Sequence, residues 1–290
     1  MSDQPLVILI TGCSSGFGLL TAARLARAGH RVHAAMRDIN KRGSLDVELK
    51  QRGGSENLFV HQMDVADPVS VKKAVLEVVS REGVIDVLIN NAGFGMGGFF
   101  EDLSDEDWRK QYDTNFFGVL NVTREALPVM RPRRSGRIIN ISSVSAFSGS
   151  PSLGAYASSK WALEGFSESL YMELKPFNID VILVEPGSYR TKIFTDNARY
   201  AKDFNNEASP YFAMSRRLKE FVDEHVRQST RDPEEVAGVI AGLVTAPKPR
   251  FRNIIGIQAK LRCWLVRHVP FEFYAGLAIK LLFKGRAPRA

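Results

Sequence analysis

Short apolar runs of strand length alternate with helical segments from residue 6 to about residue 257. Near-continuous apolar strands that are joined by helices are typical of a parallel sheet covered on both faces. We therefore predict one doubly wound α/β domain over residues 1–257, with helices on both faces of a parallel sheet of about seven strands. The predicted strands span residues 6–11, 30–36, 57–64, 85–93, 136–143, 179–187 and 253–257.

Residues 188–230 interrupt this alternation, because the stretch is polar, aromatic and irregular in its spacing. A long insertion after a strand of such a sheet usually lies over the ligand crevice. We therefore predict that 188–230 is a loop inserted into the domain and placed over its ligand.

The positive charge is concentrated at the C-terminal end. Of the net charge of +7, residues 248–290 contribute ten Lys and Arg against one acid, Glu272, and the remainder holds 29 basic and 31 acidic residues. A nearly neutral body lacks the stripe of Lys and Arg of nucleic-acid-binding folds, so we predict no nucleic-acid partner. Residues 258–290 are predicted to be a basic amphipathic extension. It either lies on an anionic membrane surface or docks on the body or a second subunit, and we favour docking.

Cysteine and histidine usage argues against two kinds of site. Cys13 and Cys263 make neither a disulfide framework nor a zinc spacing, and the five histidines are scattered. We therefore expect no metal and a reducing compartment. The N-terminal stretch lacks the basic region of a signal peptide, and no run of about 18 apolar residues occurs. We expect a cytoplasmic protein, with peripheral membrane association through the extension as the alternative.

Three glycines, Gly12, Gly16 and Gly18, lie between the first predicted strand and the helix that follows it. A tight glycine turn lets the backbone approach a pyrophosphate, and the helix N-terminus offers N–H groups to it. Ser14 and Ser15 add hydroxyls beside the phosphates. A plain loop with helpful glycines is the alternative, but the pattern occupies the first strand–helix unit of the chain. The spacing therefore predicts a Rossmann-type dinucleotide-binding domain.

The end of the second predicted strand selects between the two nicotinamide dinucleotides. An acid there binds the ribose 2′-hydroxyl of NAD, whereas an arginine accommodates the 2′-phosphate of NADP. Met36 stands where the acid is expected, and Arg37 follows it directly. We therefore predict that Arg37 binds the phosphate and that NADP(H) is preferred. The neighbouring Asp38 keeps NAD(H) as the alternative, and Arg37 is otherwise a solvated loop residue.

Tyr156 and Lys160 stand four residues apart and share one face of the helix predicted over 156–174. An ammonium beside a phenol favours the phenolate, so we expect Lys160 to lower the pKa of Tyr156 from about 10. A phenol brought toward neutral pH can donate or accept a proton in catalysis. A Tyr and a Lys four residues apart are also common on helix surfaces, so the pair predicts a catalytic site only together with the surrounding motifs.

Together the motifs resemble the short-chain dehydrogenase/reductase family over about residues 5–257, in the family's order and spacing. They are TGCSSGFG (11–18), NNAG (90–93), Asn115 within TNFFG, Ser143, YASSK (156–160) and Pro186-Gly187. The pieces TGCSSGFG, MRD, SKWALEGFSESL and DPEEVA narrow the resemblance to the 17β-hydroxysteroid dehydrogenase and retinol dehydrogenase branch.

The resemblance implies a catalytic set of four residues. Tyr156 would be the general acid/base, and Lys160 would lower its pKa and bind the nicotinamide ribose. Ser143, thirteen residues before Tyr156, would polarise the reacting oxygen. Asn115 would bend its helix around a water that links Lys160 to solvent, or else serve only as a helix-bonding amide.

The resemblance also implies the cofactor contacts. Asp64 and Val65 would meet the adenine, and Thr191 would bond the nicotinamide carboxamide. Phe17 departs from a more usual isoleucine but is expected to pack beside the phosphates. The remaining contacts are Asn91, Ala92 and Gly93 along the cofactor, Pro186 and Gly187 at the nicotinamide, and Tyr156 and Lys160.

These implications describe an NADP(H)-dependent oxidoreductase that interconverts a ketone or aldehyde and an alcohol by hydride transfer. The alternatives are a catalytically silent NADP-binding regulator and an epimerase or dehydratase on the same fold. The intact set of four catalytic residues argues against the regulator. The family likeness also implies a homodimer or homotetramer formed through the helices around 105–130 and 156–174.

Aromatic side chains in the insertion, with the segments 94–100 and 144–154, suit a bulky lipophilic substrate such as a steroid, retinoid or fatty compound. An equally good interpretation is that they pack the insertion onto the body. These residues are Tyr189, Phe194, Tyr200, Phe204, Tyr211 and Phe212.

Overall fold

The computed structural model describes residues 4–189, 198–228 and 231–283. Its strands are β1 (Val7–Thr11), β2 (Arg31–Met36), β3 (Leu58–Gln62), β4 (Val87–Asn90), β5 (Met96–Gly97), β6 (Gly136–Ile141), β7 (Ile179–Pro186), β8 (Arg199–Tyr200) and β9 (Arg252–Ile255). Its α-helices are α1 (Gly16–Arg27), α2 (Gly43–Gln51), α3 (Pro68–Glu82), α4 (Asp105–Tyr112), α5 (Gly118–Met130), α6 (Gly154–Leu174), α7 (Phe212–Gln228), α8 (Glu234–Thr245), α9 (Ile257–His268) and α10 (Phe271–Phe283).

Seven of these strands form one parallel sheet in the order β3-β2-β1-β4-β6-β7-β9. The order confirms the predicted doubly wound fold, and each of the seven strands overlaps a predicted one. From β1 the chain moves outward to β3 and then returns to begin β4 on the other side of β1. This reversal opens a crevice at the carboxyl ends of β1 and β4, where ligands bind in such sheets.

Both faces of the sheet are covered, which explains the near-continuous apolar runs. On β1, Ile8 and Ile10 belong to the core shared with α1 and α8, while Val7 and Leu9 belong to the core shared with α3, α5 and α6. All four side chains are buried, and burying such a side chain contributes about 1.5–3 kcal/mol. A strand buried on both faces therefore has no reason to alternate apolar and polar residues.

The insertion is more ordered than its sequence indicates. The expectation of an irregular stretch over 188–230 is wrong for the part that forms the 17-residue helix α7. That helix buries Leu218 against Phe99 and exposes most of its charged residues, as an amphipathic surface helix does. Strand β8, near the start of the insertion, pairs in parallel with β5 and ties the insertion to the body.

Several aromatic side chains of the insertion pack it onto the body. Phe204 is buried in a cluster with Phe94 and Met96, and the ring of Tyr211 stacks on Phe99 with 4.6 Å between centroids. Of the two interpretations of these aromatics, packing is therefore the observed one for Phe204 and Tyr211. Phe194 lies outside the described residues.

The described part of the C-terminal extension forms α9 and α10, and α9 docks on the body. Ala259 and Cys263 are buried in a cluster with Val144, which directly follows the predicted site residue Ser143. The Arg262 guanidinium donates to the Ser148 hydroxyl through Nε at 3.0 Å and Nη2 at 2.6 Å. The extension is thus a docked pair of helices beside the loop that follows β6.

The extension exposes several large apolar side chains, and we call this group of residues the apolar face. Its side chains are 51–80% exposed: Ile257, Leu261, Trp264, Phe271, Phe273, Leu277 and Ile279. Within the part of the chain that the structure describes, none of the helices is long and apolar enough to cross a membrane.

Candidate active site

The glycine turn between β1 and α1 approaches the loop after β4 so closely that side chains do not fit between them. Gly12 has a φ of +72° and Gly16 of +59°, in the region that favours glycine. A Cβ atom on Gly12 would lie 2.7 Å from the Ala92 Cα, and one on Gly18 would lie 2.3 Å from the Asn91 Nδ2. The turn therefore presents the bare backbone that binding a pyrophosphate requires.

Asn91 holds the glycine turn in place from the end of β4. Its Nδ2 donates to the Thr11 carbonyl at 2.9 Å and to the Gly12 carbonyl at 3.1 Å. In return, the Thr11 hydroxyl accepts the backbone N–H groups of Asn91 and Ala92, each at 3.0 Å. The Asn91 side chain therefore fixes the shape of the turn from behind.

A cavity of about 740 Å³ extends from the glycine turn to α6, a size within the range of about 300–1,000 Å³ for ligand pockets. The predicted site residues that line it are Gly12, Ser14, Ser15, Gly16, Phe17, Arg37, Asp64, Val65, Asn91, Ala92, Gly93, Ser143, Tyr156, Lys160, Pro186 and Gly187. Gly18 and Asn115 lie behind the lining, and Thr191 is outside the described residues. The bare turn and the size of the cavity fit a dinucleotide.

Two cations, Arg37 and Lys41, line the cavity near the end of β2. The Asp38 carboxylate accepts the Asn40 N–H at 3.0 Å and so caps the 3₁₀ turn Ile39–Arg42. The same turn brings Lys41 to the cavity beside Arg37. Sequence reasoning missed Lys41, for which the only signal is that another basic residue closely follows Arg37.

The hydroxyls of Tyr156 and Ser143 lie together in the wall of the cavity. Tyr156 is in the first turn of α6, and Ser143 follows β6 by two residues. The Ser143 side chain is near enough to Tyr156 to act against the rise of its pKa, and the Ser143 Oγ accepts the Ser145 N–H at 3.1 Å. Tyr156 is 3% exposed and Ser143 is 8% exposed. The pair can therefore present two hydroxyls, shielded from bulk water, to one oxygen atom of a bound molecule.

Lys160 lies one helical turn beyond Tyr156 and is also buried. Its Nζ donates to the Ile141 carbonyl at 2.8 Å and lies 6.0 Å from the centroid of the Tyr156 ring. Burial lowers the pKa of Lys160 to about 8, while the negative charge of Glu164 acts to raise it. The lysine therefore depends on nearby negative charge to stay protonated.

The predicted fall in the pKa of Tyr156 is not what the structure shows. Burial raises the pKa of Tyr156 above its ordinary value, because a phenolate is poorly solvated there, and the hydrogen bond with Ser143 acts in the opposite direction. The Lys160 ammonium is bonded to a backbone carbonyl and faces the ring. In this arrangement, burial outweighs the attraction that the four-residue spacing suggested.

A π-turn, Asp113–Phe117, separates α4 from α5 and carries Asn115. The Asn115 Oδ1 accepts the Phe94 N–H at 3.1 Å, and its Nδ2 donates to the Phe94 carbonyl at 3.1 Å and to the Ser159 hydroxyl at 3.3 Å. π-Turns of this kind are frequent at functional sites. Asn115 thus joins the loop after β4 to α6, and its part in a proton relay remains a prediction.

Tyr189 packs in the cavity wall, although the sequence grouped it with the substrate-binding aromatics. It is buried, its ring meets the edge of Phe17 at 5.8 Å between centroids, and its hydroxyl donates to the Glu235 Oε2 at 2.8 Å. These contacts join α1 to α8 beside the glycine turn. Tyr189 therefore supports the cofactor end of the cavity.

Comparison with known proteins agrees with this geometry. The family model for short chain dehydrogenases matches residues 6–201. The chain belongs to the short-chain dehydrogenase family. It is therefore an oxidoreductase that acts on CH–OH groups.

This short-chain dehydrogenase is similar to curated and solved members of the family along most of its length. It is 39% identical over 267 residues to 3-ketodihydrosphingosine reductase of Bacteroides thetaiotaomicron, and the aligned region covers 90% of this chain and 94% of that protein. It is 42% identical over 277 residues to retinol dehydrogenase 8 of Homo sapiens, with 89% and 84% covered. A solved short-chain dehydrogenase/reductase of Burkholderia phymatum in complex with NAD has a TM-score of 0.78 at 25% identity, with 100% and 99% covered.

Solved structures that match this chain hold NAD in one case and NADP in another. A nicotinamide dinucleotide is therefore the cofactor class of this short-chain dehydrogenase. The resemblance to retinol dehydrogenase that the sequence motifs indicated is confirmed at the level of the whole chain.

Proposed function

We propose that this short-chain dehydrogenase is an NADP(H)-dependent enzyme that interconverts a ketone or aldehyde and an alcohol on a lipophilic compound. The observation that carries the proposal is the pair of buried hydroxyls of Tyr156 and Ser143 in the wall of one cavity. Two shielded donors side by side suit an oxygen atom that changes between carbonyl and alcohol, because they stabilise the negative charge that develops on it.

The cavity offers a place for each part of the cofactor. The glycine turn and the N-terminus of α1 would bind the pyrophosphate. Asp64 and Val65 line the part where the adenine would lie, and Pro186 and Gly187 line the part for the nicotinamide. A bound nicotinamide supplies or accepts the hydride.

Tyr156 and Ser143 would handle the oxygen. In the direction of reduction, Tyr156 donates its phenolic proton to the substrate oxygen while Ser143 donates a hydrogen bond to the same atom. The raised pKa of Tyr156 keeps the phenol protonated near neutral pH, as an acid must be. Lys160 would stabilise the resulting phenolate, and Asn115 would help to return a proton to it.

The preference for NADP(H) over NAD(H) rests on charge near the end of β2. Arg37 and Lys41 place two cations where a 2′-phosphate would lie. The Asp38 carboxylate already caps a turn, and Met36 has no group that would accept a hydrogen bond from a ribose hydroxyl in the way an acid does. The two cations, with Met36 in the place of an acid, favour the phosphorylated cofactor.

The lipophilic class of substrate is supported by apolar surface near the cavity and by the relatives. Phe94 lines the cavity, and the apolar face of the extension belongs to helices that dock beside the loop after Ser143. The relatives are named for retinol and for 3-ketodihydrosphingosine.

The test is a screen in which absorbance of the reduced nicotinamide is followed with NADPH or NADH and a panel of steroid, retinoid and long-chain ketones, with short ketones as controls. We expect consumption of NADPH with at least one lipophilic ketone, and slower consumption of NADH. An epimerase or dehydratase would transform its substrate without net consumption of cofactor. A silent regulator would bind NADPH without any turnover, and either result would overturn the proposal.

We also propose that the protein is cytoplasmic and touches an anionic membrane surface through the apolar face. Lys260, Arg267 and Lys280 accompany that face, and Glu272 is the one acid of residues 248–290. Lys and Arg attract anionic headgroups while apolar side chains enter the interface. A second copy seated symmetrically on this face would instead bring like charges together.

Co-sedimentation of the full chain with vesicles tests the membrane contact. We expect binding to vesicles that contain phosphatidylserine, weaker binding to pure phosphatidylcholine, and loss of binding in a Trp264→Ser/Phe271→Ser variant. Both residues are more than half exposed, at 55% and 72%, so the variant keeps the core intact. Equal sedimentation of the variant and the original protein would contradict the proposal.

A homodimer or homotetramer formed through α4, α5 and α6 is the assembly we propose. Exposed apolar side chains occur near and along these helices, at 48% for Phe117, 53% for Trp161 and 67% for Met172, and such surfaces commonly mark interfaces. Size-exclusion chromatography with light scattering is expected to give a mass of two or four chains. A monomer at micromolar concentration would contradict this assembly.

A further inference from the structure

Behind Lys160, one arginine gathers carboxylates from two neighbouring elements of the fold. The Arg252 Nη1 on β9 donates to Glu164 of α6 and to the Glu185 Oε1 of β7, the latter at 2.8 Å, while its Nη2 donates to the Glu168 Oε1 at 2.5 Å. The Glu168 side chain is 55% exposed, whereas those of Glu164 and Glu185 are 9% and 0% exposed. Two interior carboxylates therefore meet at one guanidinium nitrogen.

Two carboxylates this close, with little water around them, repel each other, so that one of them tends to hold a proton. Burial and the charge of Glu164 raise the pKa of Glu185 to about 7, against the opposing effect of Arg252. Burial likewise raises the pKa of Glu164, with Ser142 and Arg252 acting against the rise. Among the described residues, the Glu185 Oε2 has no hydrogen-bond partner. Glu185 therefore titrates near neutral pH, and its charge is coupled to that of Glu164.

The carboxylates adjoin the catalytic residues at two points. Glu164 lies one helical turn beyond Lys160 on α6, and its charge raises the pKa of Lys160 against the effect of burial. Glu185 directly precedes Pro186 in the lining of the cavity. A change of charge on Glu164 therefore acts on the Lys160 ammonium directly, and Glu185 acts on it through its coupling to Glu164.

We propose that Glu164 and Glu185 act as one carboxyl pair that supplies the buried negative charge keeping Lys160 protonated. Neither carboxylate touches the reacting atoms, so both are positioning residues that act through Lys160. When the pair loses its proton, the Lys160 ammonium is stabilised, and when the pair gains one, that stabilisation weakens. The effect on turnover rests on the proposed function, whereas the effect on Lys160 does not.

The other charged groups near the pair do not take its place. From α9, Cys263 faces both carboxylates: burial, aided by their charges, raises the pKa of its thiol to about 11, so it stays neutral near pH 7. Arg262 and Arg267 of the same helix act on Cys263 in the opposite direction. From β9 and α6 the remaining groups are Arg252 and Glu168, which the hydrogen bonds above already place, and Lys160.

The decisive experiment is a pH titration of Lys160 by NMR in protein carrying ¹³Cε-lysine, with the signal assigned through a Lys160→Arg variant. We expect the titration midpoint of Lys160 to fall by about one pH unit or more in Glu164→Gln, because an opposite charge nearby shifts a pKa by about 1–3 units. Glu185→Gln is expected to move it the same way. Glu168→Gln, which removes an exposed partner of the same arginine, is expected to leave it in place.

Unchanged midpoints in both Glu164→Gln and Glu185→Gln would overturn the proposal. A second measurement covers variants that fail to fold. In the unaltered protein labelled with ¹³Cδ-glutamate, we expect one carboxyl signal that titrates near pH 7. If every glutamate carboxyl titrates below about pH 5, the ordinary range for this group, the pair does not exist as proposed.

The pH profile of kcat separates this inference from the proposed function. With an active substrate, the fall in turnover on the alkaline side is expected to begin at lower pH in Glu164→Gln than in the unaltered protein or in Glu168→Gln. An unaltered protein that turns over no carbonyl compound would refute the proposed function while the shift of the Lys160 titration still stands. If kcat falls at the same alkaline pH in the unaltered protein, Glu164→Gln and Glu168→Gln, the proposed action of the carboxyl pair on Lys160 is wrong.

Discussion

The Lys160 ammonium lies 6.0 Å from the centroid of the Tyr156 ring and donates its hydrogen bond to the Ile141 carbonyl. The ammonium therefore lies over the Tyr156 ring, and the nearby Ser143 side chain acts to lower the pKa of the phenol. In this geometry Tyr156 is a buried acid, and Ser143 is the neighbour that eases the loss of its proton.

Replacing Tyr156 by Phe removes the proton donor and leaves the shape of the cavity almost unchanged. We expect turnover of a carbonyl substrate to fall by at least about 10²-fold, the usual contribution of general acid catalysis. Binding of NADPH, followed by fluorescence of the reduced nicotinamide, is expected to change little.

Tyr171→Phe is the matched control, because Tyr171 lies on the same helix and packs against Phe251 at 5.1 Å between centroids. It is expected to retain full turnover. If Tyr156→Phe keeps full turnover, or if turnover falls equally in Tyr156→Phe and Tyr171→Phe, Tyr156 is not the proton donor.

Gly12→Ala is expected to abolish tight binding of NADPH and to lower the free energy of unfolding by about 1–3 kcal/mol, the usual strain at such a backbone position. The added Cβ would lie 2.7 Å from the Ala92 backbone at a φ of +72°. Gly165→Ala is the control, because nothing lies within 4 Å of the added Cβ. Since alanine is favoured over glycine inside a helix, this variant is expected to raise the free energy of unfolding by about 0.5–1 kcal/mol. Urea unfolding and a fluorescence titration measure both effects, and normal affinity in Gly12→Ala would contradict the placement of the pyrophosphate.

Arg37→Ala tests the preference for the phosphorylated cofactor. Loss of a charge-assisted contact of about 1.5–3 kcal/mol would raise the KM for NADPH by about 10- to 100-fold and leave that for NADH nearly unchanged. Arg42→Ala is the control, because Arg42 forms an exposed ion pair with Asp46 at 2.9 Å. If Arg37→Ala raises the KM for NADPH and the KM for NADH by the same factor, Arg37 does not bind the 2′-phosphate.

A second titrating cluster lies far along the sheet from α6 and bears on stability. The His33 Nδ1 lies 2.9 Å from the His61 Nε2, and the His33 Nε2 lies 3.1 Å from the Glu82 Oε1. Burial lowers the pKa of His33 to about 4, and the charge of His61 acts in the same direction. His33 is therefore neutral in the folded protein over most of the accessible pH range.

Acid is expected to destabilise the protein through His33. The unfolded chain, with a His pKa of about 6.5, binds this proton below that pH while the folded protein does not, so stability is present above pH 6.5 and is lost as the pH falls toward 4. Urea unfolding at pH 7.5 and pH 5 is expected to differ by about 2 kcal/mol from this group. His33→Leu is expected to remove that part of the difference, and His268→Asn, at an exposed position, is expected to leave it. Equal differences in His33→Leu and the unaltered protein would show that His33 does not control acid stability.

The parallel sheet was predictable because its strands are buried on both faces, so their apolar runs are short, continuous and rich in β-branched residues. Helix α2 escaped prediction for the opposite reason, since it buries only Leu45 and shows no clear apolar stripe. Helix α7 was taken for an irregular stretch because charged residues dominate its surface. Local pattern therefore reveals elements in proportion to the apolar area that they bury.

The residues around the cavity were predictable from motifs, but their electrostatics were not. The spacing of Tyr156 and Lys160 places them on one helix face, yet the direction of the Tyr156 pKa depends on burial and on where the Lys160 Nζ points. The contact of Arg252 with Glu164 and Glu185 joins three elements that are far apart in the sequence, so no sequence spacing predicts it. Lys41 reaches the cavity from within the turn that Asp38 caps, and this placement is not visible in the sequence.

Helix α9 packs against the segment that begins one residue after Ser143, and Arg262 donates a hydrogen bond to Ser148 in the same loop. The extension therefore contacts the segment that directly follows Ser143. Because that contact lies one residue from Ser143, a partner that holds α9 in place or displaces it is expected to change the position of the Ser143 hydroxyl, although the partner binds at the surface.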